Sequence, residues 1–210
     1  MLTNNSKSPR GRPSKSGRDS NQTKQALIQS GLEYFTEFGF ASSGIDQILK
    51  NVSVPKGSFY YYFSSKEAFG QAVIEHYKHY FAKKLDHHLL NQAFKPLQRI
   101  DNFANDAKEG MKRHNFNRGC LIGNLEQEVT LLPESYRQEL LNVFDTWQNK
   151  ISACLQLAQA ENAISSTINC DNLASFFWLG WEGAISKSKL TKNTAPIELF
   201  TEAFFDLLKN

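Results

Sequence analysis

Residues 45–69 read IDQILKNVSVPKGSFYYYFSSKEAF, and the reading of the whole chain depends on how this stretch divides. Ile45, Ile48, Leu49 and Val52 share one helical face, which predicts a short helix from about Gly44 to Asn51. Ser43 and Asp46 stand at capping-box spacing at its start. Ser53-Val54-Pro55 breaks the pattern, and a further helix follows over Lys56 to Tyr62, with Pro55 at a position where a missing N–H costs nothing. Two short helices joined by a three-residue turn are what a helix-turn-helix requires. Its second helix enters the major groove with small and polar groups at its N-terminal end. Lys56 supplies charge there, Gly57 permits close backbone approach, and Ser58 offers a hydroxyl. Phe59 and Phe63, four residues apart, point inward. Tyr60, Tyr61 and Tyr62 advance by about 100° each, so they cannot all be core, and their hydroxyls and rings suit phosphates and thymine methyls. Ser43 and Lys66 flank the motif as further candidate DNA contacts, Lys66 in the first turn of a helix whose N–H groups attract phosphate.

Lys56-Gly57, Phe59-Tyr60, Phe63 and Lys66-Glu67 occur in the order found in the DNA-binding segment of TetR-type repressors, which the stretch resembles. Two positions depart from that pattern: Ser53 stands where glycine is common, and Tyr62 where histidine is common. The resemblance implies an N-terminal reading head, a C-terminal ligand pocket, and a homodimer built on the last two long helices, here about 171–189 and 195–208.

Upstream, Leu27, Gly31, Tyr34, Phe35 and Phe38 form a helical face from about Thr23, with Gly39 as its C-cap. Residues 1–22 are polar and basic and read as a flexible arm, before a DNA-binding domain over 23–68 and a ligand-binding and dimerisation domain over 69–210. Pro9-Arg10-Gly11-Arg12-Pro13 resembles the core of an AT-hook, which implies that Arg10 and Arg12 lie in a narrow A·T-rich minor groove. The first 24 residues carry six basic groups against the single acid Asp19, while the rest of the chain has 18 basic and 20 acidic residues. Positive charge gathered at one end points to a polyanion as partner.

Downstream, Ser64 and Glu67 suggest a capping box opening a helix toward Asn91. Further helices are predicted over about 97–114, over Cys120 to Leu132, along the stripe from Tyr136 to Ala158, from Asn169 or Asp171, and from Thr194 with Pro196 just inside. Strand-like alternation is nowhere sustained. The expectation is an all-α chain of about nine helices.

Arg118-Gly119-Cys120-Leu121 with Leu125, Glu128 and Val129, and the run Gly180-Trp181-Glu182-Gly183-Ala184, resemble the branch of the family that responds to reactive electrophiles or acrylate-like small molecules. The resemblance implies that Cys120 matches the reactive thiol of the electrophile-sensing members. The residues themselves allow two readings. A helix N-terminus and Arg118 stabilise a thiolate at Cys120, whereas an unpaired cysteine also serves as a small core hydrophobe. Trp147, Trp178 and Trp181 either line an apolar pocket or pack the core. A buried Glu182 needs a partner such as Lys187 or Lys189, or a ligand donor.

Several classes are excluded. No G-x-S-x-G, Walker A, dinucleotide fingerprint or H-E-x-x-H is present, so no enzyme and no cofactor is expected. His76 and His79 share a face without nearby ligand-spaced partners, so no metal is expected either. No apolar run spans a bilayer, no secretory signal is evident, and Cys120, Cys154 and Cys170 lack CxxC spacing, which together place the chain in the cytoplasm without a membrane partner. The expected function is a transcriptional repressor that binds a palindromic operator in double-stranded DNA as a homodimer and is released by a small-molecule or electrophilic inducer. The alternative is an architectural DNA-binding protein whose C-terminal core is sealed.

Overall fold

A computed structural model describes residues 19–209. Among the described residues every regular element is helical. α1 (Ser20–Phe38) starts three residues before Thr23, because Asp19 and Gln22 form a reciprocal capping box: the Asp19 carboxylate accepts the Gln22 N–H at 2.7 Å. Arg10 and Arg12 lie outside the described residues. α1 ends on Gly39, whose φ of +83° favours glycine. Its apolar face packs inward as far as Phe35, while Phe38 is 55% exposed and rests on Tyr34 instead.

α2 (Ile45–Val52) and α3 (Lys56–Tyr62) fall where the spacing places them. The turn residue Ser53 adopts the left-handed conformation at φ 56°, which explains the preference for glycine there. The cap of α2 differs from expectation: Gly44 occupies the N-cap and no side chain caps it. Ser43 is buried and its hydroxyl donates to the Gly39 carbonyl, closing the α1–α2 turn, while Asp46 faces Lys56. Phe59, Phe63 and Phe69 stack edge to face or tilted, at centroid distances between 4.8 and 5.5 Å, and fix the three helices to the start of α4 (Lys66–Leu89). Ser65 rather than Ser64 caps α4, accepting the Ala68 N–H at 3.0 Å. Glu67 is released to accept the Ser135 hydroxyl.

α4 runs from the head into a body made of α5 (Pro96–Arg113), α6 (Leu121–Gln127), α7 (Glu134–Ala160), α8 (Cys170–Thr191) and α9 (Ala195–Leu207). The segment 120–132 is not one helix. α6 ends at Gln127, Glu128 turns at φ −95°, and a 3-10 turn over Val129–Leu131 leads to an extended Leu132 before Pro133. Proline disfavours helical backbone in its predecessor, and that is the cause of the extended Leu132. The core of the body is aromatic: Trp147, Trp178, Trp181, Phe81, Phe103, Phe177 and Phe204 are all buried. Phe204 is thus covered within the chain, and Phe200 packs over Gly180, so neither needs a partner subunit for burial. The apolar side chains that α8 and α9 leave exposed are Phe176, Leu179, Leu190, Leu199 and Leu207.

Candidate functional site: a reading head joined to a cavity

The outer face of the head carries most of the expected DNA contacts. Lys56 is exposed and pairs with Asp46 at 3.0 Å, a surface pair that a phosphate can outcompete. Tyr60 and Tyr61 are 57% and 76% exposed. Ser58 and Tyr62 are half-buried, and a side chain at Gly57 would meet nothing within 4 Å. Lys56, Gly57, Tyr60 and Tyr61 are therefore open to solvent along α3, with Ser58 and Tyr62 partly covered. Two candidates are placed elsewhere. Ser43 is turned inward, as above. Lys66 is half-buried, donates to the Phe40 carbonyl at 2.8 Å and lies 4.5 Å from the Phe40 ring centroid; burial lowers its pKa.

The second site is a cavity of about 320 Å³ between head and body. Leu32 and Thr36 of α1, Tyr77 and Phe81 of α4, Phe103 of α5, Cys120 at the start of α6, and Trp181 of α8 all border it. Of the expected sensing residues, Cys120 and Trp181 line this space. Trp147 and Trp178 form the aromatic layer behind it, Trp147 stacking on Phe81 at 4.3 Å, with both indole N–H groups buried and unpartnered. The rim bears Arg113 and His114, for which no ion pair occurs among the described residues, and His76. Lys84 and Arg118 also border the cavity, but Asp106 neutralises Lys84 at 2.9 Å, and Arg118 reaches Glu33 at 3.1 Å.

Arg118 thus turns away from Cys120, contrary to the expectation that it favours a thiolate. Burial pushes the thiol pKa well up, and the nearby Glu182 carboxyl pushes it further. The Cys120 sulfur accepts the Gly123 N–H at 3.5 Å and the Tyr77 hydroxyl at 3.6 Å. Glu182 is buried against this group without Lys187 or Lys189 as partner; Lys189 instead donates to the Thr36 carbonyl at 3.3 Å. Its Oε2 fills the space a Cβ on Gly123 would take, its Oε1 has no hydrogen-bond partner, and desolvation raises its pKa to about 7. His79 is 2.9 Å from Glu75, a carboxylate neighbour the sequence reading overlooked.

Sequence reasoning also missed the bonds that tie the two sites together. The Thr36 carbonyl accepts the Gly119 N–H at 3.4 Å and Asn124 Nδ2 at 3.0 Å, and Glu128 accepts two N–H groups beyond α1. Only the tertiary fold brings these residues, more than 80 positions apart, into contact.

A helix-turn-helix head clasped by a helical body around an internal cavity is the architecture of a DNA-binding regulator with its own sensing domain. Residues 27–73 match the bacterial regulatory proteins of the tetR family, and residues 96–204 match the tetracyclin repressor-like C-terminal domain. The chain is 46% identical over 196 residues to the transcriptional regulator AcuR of Cereibacter sphaeroides, covering 93% of this chain and 87% of that one. It is 32% identical over 185 residues to the HTH-type transcriptional repressor DhaR of Mycobacterium sp. (strain GP1), covering 88% and 91%. The crystal structure of regulatory protein TetR from Rhodobacter sphaeroides superposes with a TM-score of 0.85 at 47% identity, over 87% of this chain and 96% of that one. The chain belongs to the TetR family and is a DNA-binding transcriptional repressor of that family. No helix among the described residues is long and apolar enough to cross a membrane.

Proposed function

We propose that this repressor binds a palindromic operator as a homodimer in the cytoplasm and is released when a small molecule occupies the cavity over Cys120. One observation carries the reading: the cavity is walled by α1 of the reading head as well as by α4, α5 and α8 of the body and by residues 118–120, which lead into α6. A molecule that enters must press on Thr36, whose carbonyl is the point where Gly119, Asn124 and Lys189 hold the head. Inducer then favours an arrangement in which two heads no longer stand about 34–36 Å apart, the spacing of successive major grooves. The aromatic walls, with Arg113 on a rim that also bears His114 and His76, suit a small organic molecule with an apolar body and an anionic group. The exposed leucines on α8 and α9 supply the apolar surface for a two-fold partner. Lys56, Gly57, Ser58, Tyr60, Tyr61 and Tyr62 contact DNA, with Arg10 and Arg12 in the adjoining minor groove. The cavity also weighs against a purely architectural role, which calls for a sealed core.

The test is titration of the full chain onto its own upstream DNA at about 50 and about 200 mM salt, with and without a panel of short organic acids, for wild type and Ala107→Phe. Ala107 lines the cavity, so the variant partly fills it. Salt-sensitive binding relieved by a panel member in wild type, and not in Ala107→Phe, is the expected result. Binding without sequence preference, or relief that ignores the cavity, overturns the proposal.

A further inference from the structure

Lys84, Arg113 and Arg118 border the cavity, and they differ in burial and in what already holds them. Arg113 is exposed on the rim, where water screens its pairing with any anion. Arg118 is tied to Glu33 at 3.1 Å and to Glu37 at 3.9 Å, so its release would leave two carboxylates of α1 without a cation. Lys84 is the most buried of the three, its side chain 17% exposed against 29% for Arg118. It lines the cavity from α4, yet its ammonium is turned to Asp106 of α5, which does not border the cavity.

Asp106 has a second partner already in place. His88 Nε2 lies 3.2 Å from Oδ2 of Asp106, the oxygen that Lys84 contacts at 2.9 Å, and its side chain is 15% exposed. Lys84 and His88 stand four residues apart on α4 and so share the face turned to α5. Partial burial pushes the Asp106 pKa up, yet Lys84 first and His88 second hold it below its usual value. An imidazole is the side chain that gains or loses charge near neutral pH. One carboxylate thus has a permanent cation and a conditional one.

We infer that Lys84 is the residue that binds the anionic group of the inducer, and that it leaves Asp106 to His88, which takes up a proton from solvent as the exchange occurs. This rests on the reading of the cavity as the inducer site. Before binding, Lys84 neutralises Asp106. The flexible four-carbon stem lets the ammonium turn from Asp106 into the cavity. There the anion accepts a charge-assisted hydrogen bond among aromatic walls. The carboxylate left behind draws a proton onto His88, so one anion and one proton enter together and the net charge is unchanged. Of the three basic groups, only Lys84 can leave its partner with a replacement already within reach. Arg113 attracts anions to the mouth and does not hold them. The charged and titratable groups around His88 are Asp106 of α5, with Lys84 and His87 of its own helix. Arg99 of α5 is committed to the Leu89 and Phe94 carbonyls, and Lys150 of α7 to Asp86.

The experiment compares straight-chain and aromatic monocarboxylates, each paired with its primary amide, on the full-length protein. Trp181 lines the cavity, so tryptophan fluorescence reports occupancy. Calorimetry near neutral pH in two buffers of different ionisation enthalpy counts the protons, and DNA release is followed in parallel. Wild type is expected to prefer carboxylates over amides by about tenfold and to take up protons on binding them. Lys84→Met loses the preference, and Arg113→Ala keeps it. His88→Gln keeps the preference and loses the proton uptake. Asp106→Asn frees Lys84, so it should bind carboxylates more tightly than wild type and without proton uptake. That gain in affinity does not follow from a merely structural ion pair, and it serves if Lys84→Met fails to fold. No preference in wild type, a preference that survives in Lys84→Met or vanishes in Arg113→Ala, or weaker carboxylate binding by Asp106→Asn overturns the assignment. Proton uptake that persists in His88→Gln arises at His76 or His114 on the rim and overturns the exchange. The expected binding pattern without DNA release keeps Lys84 as the partner of the anion and sinks the inducer reading instead.

Discussion

Glu128 in the body accepts the backbone N–H of Ala41 in the head at 2.8 Å, across 87 positions of sequence. The same oxygen accepts the Phe40 N–H at 3.0 Å, and the other carboxylate oxygen lies where a Cβ on Gly39 would stand. The glycine that ends α1 is therefore required twice, by its positive φ and by the acid beside it. Lys66 closes the group from the other side through the Phe40 carbonyl.

Removal of that acid by Glu128→Ala leaves the part-buried Phe40 N–H without its acceptor, while water replaces the bond to the exposed Ala41. Hydrogen bonds to charged groups contribute about 1.5–3 kcal/mol, and with one of the two solvated the expected loss is about 1–2 kcal/mol. Urea unfolding of wild type and variant measures it. The loosened clasp should also weaken the effect of inducer on DNA affinity; an unchanged midpoint together with an unchanged inducer response would remove Glu128 from the coupling path.

Gly31 tests the seam between α1 and α4. A Cβ there would lie 2.4 Å from Cζ of Phe69 and 3.0 Å from Cγ2 of Val73, both side chains fully buried. Alanine in a helix interior gains about 0.5–1 kcal/mol over glycine, but overpacking costs about 1–3 kcal/mol. Gly31→Ala is expected to be destabilised on balance, with the helices forced apart and operator binding weakened. A rise in melting temperature would show that Phe69 yields cheaply.

Glu182 predicts a pH dependence with a definite sign. Its pKa of about 7 in the fold exceeds the ordinary value of 4.5, so between these limits the folded chain holds a proton the unfolded chain has released. Stability from this group is full below about pH 4.5, falls as pH rises, and reaches its minimum above about pH 7. Glutamine does not titrate. Glu182→Gln should therefore gain on wild type between pH 5 and pH 8, by at most about 3 kcal/mol. A difference in unfolding free energy that stays constant across that range would show that the carboxyl titrates normally in the fold.

The sequence made α2, the turn and α3 legible because each rests on local chemistry: a single apolar face, a break at Ser53-Val54-Pro55, and a proline at the helix entrance. The cap positions were less legible. Ser43 is drawn inward by the Gly39 carbonyl and leaves α2 without a side-chain cap, whereas at α4 two adjacent serines were available and Ser65 takes the position. Cys120 was recognisable as a candidate, but its protonation was not, because Arg118 is captured by Glu33 and the thiol faces Glu182 instead. Long-range partners such as Glu128 and Ala41 leave no periodic trace at all, since neither residue is unusual where it stands.

Gly57 lets fold and function be tested apart. It is the second residue of α3, and a Cβ built on it meets nothing within 4 Å. Within the chain, Gly57→Ala therefore relieves backbone freedom at no steric cost and should leave stability unchanged or raise it by about 0.5 kcal/mol. At the operator the same methyl group stands on the face formed by Lys56, Tyr60 and Tyr61, where backbone must come close to the groove. Operator affinity should fall several-fold while thermal stability holds or rises. Lys56→Ala provides the contrast: it loses a phosphate contact, so affinity falls for every sequence and the salt dependence of binding drops by about one ion. If Gly57→Ala binds operator as well as wild type while Lys56→Ala does not, α3 sits farther from the base edges than proposed and its N-terminal end contacts phosphate alone.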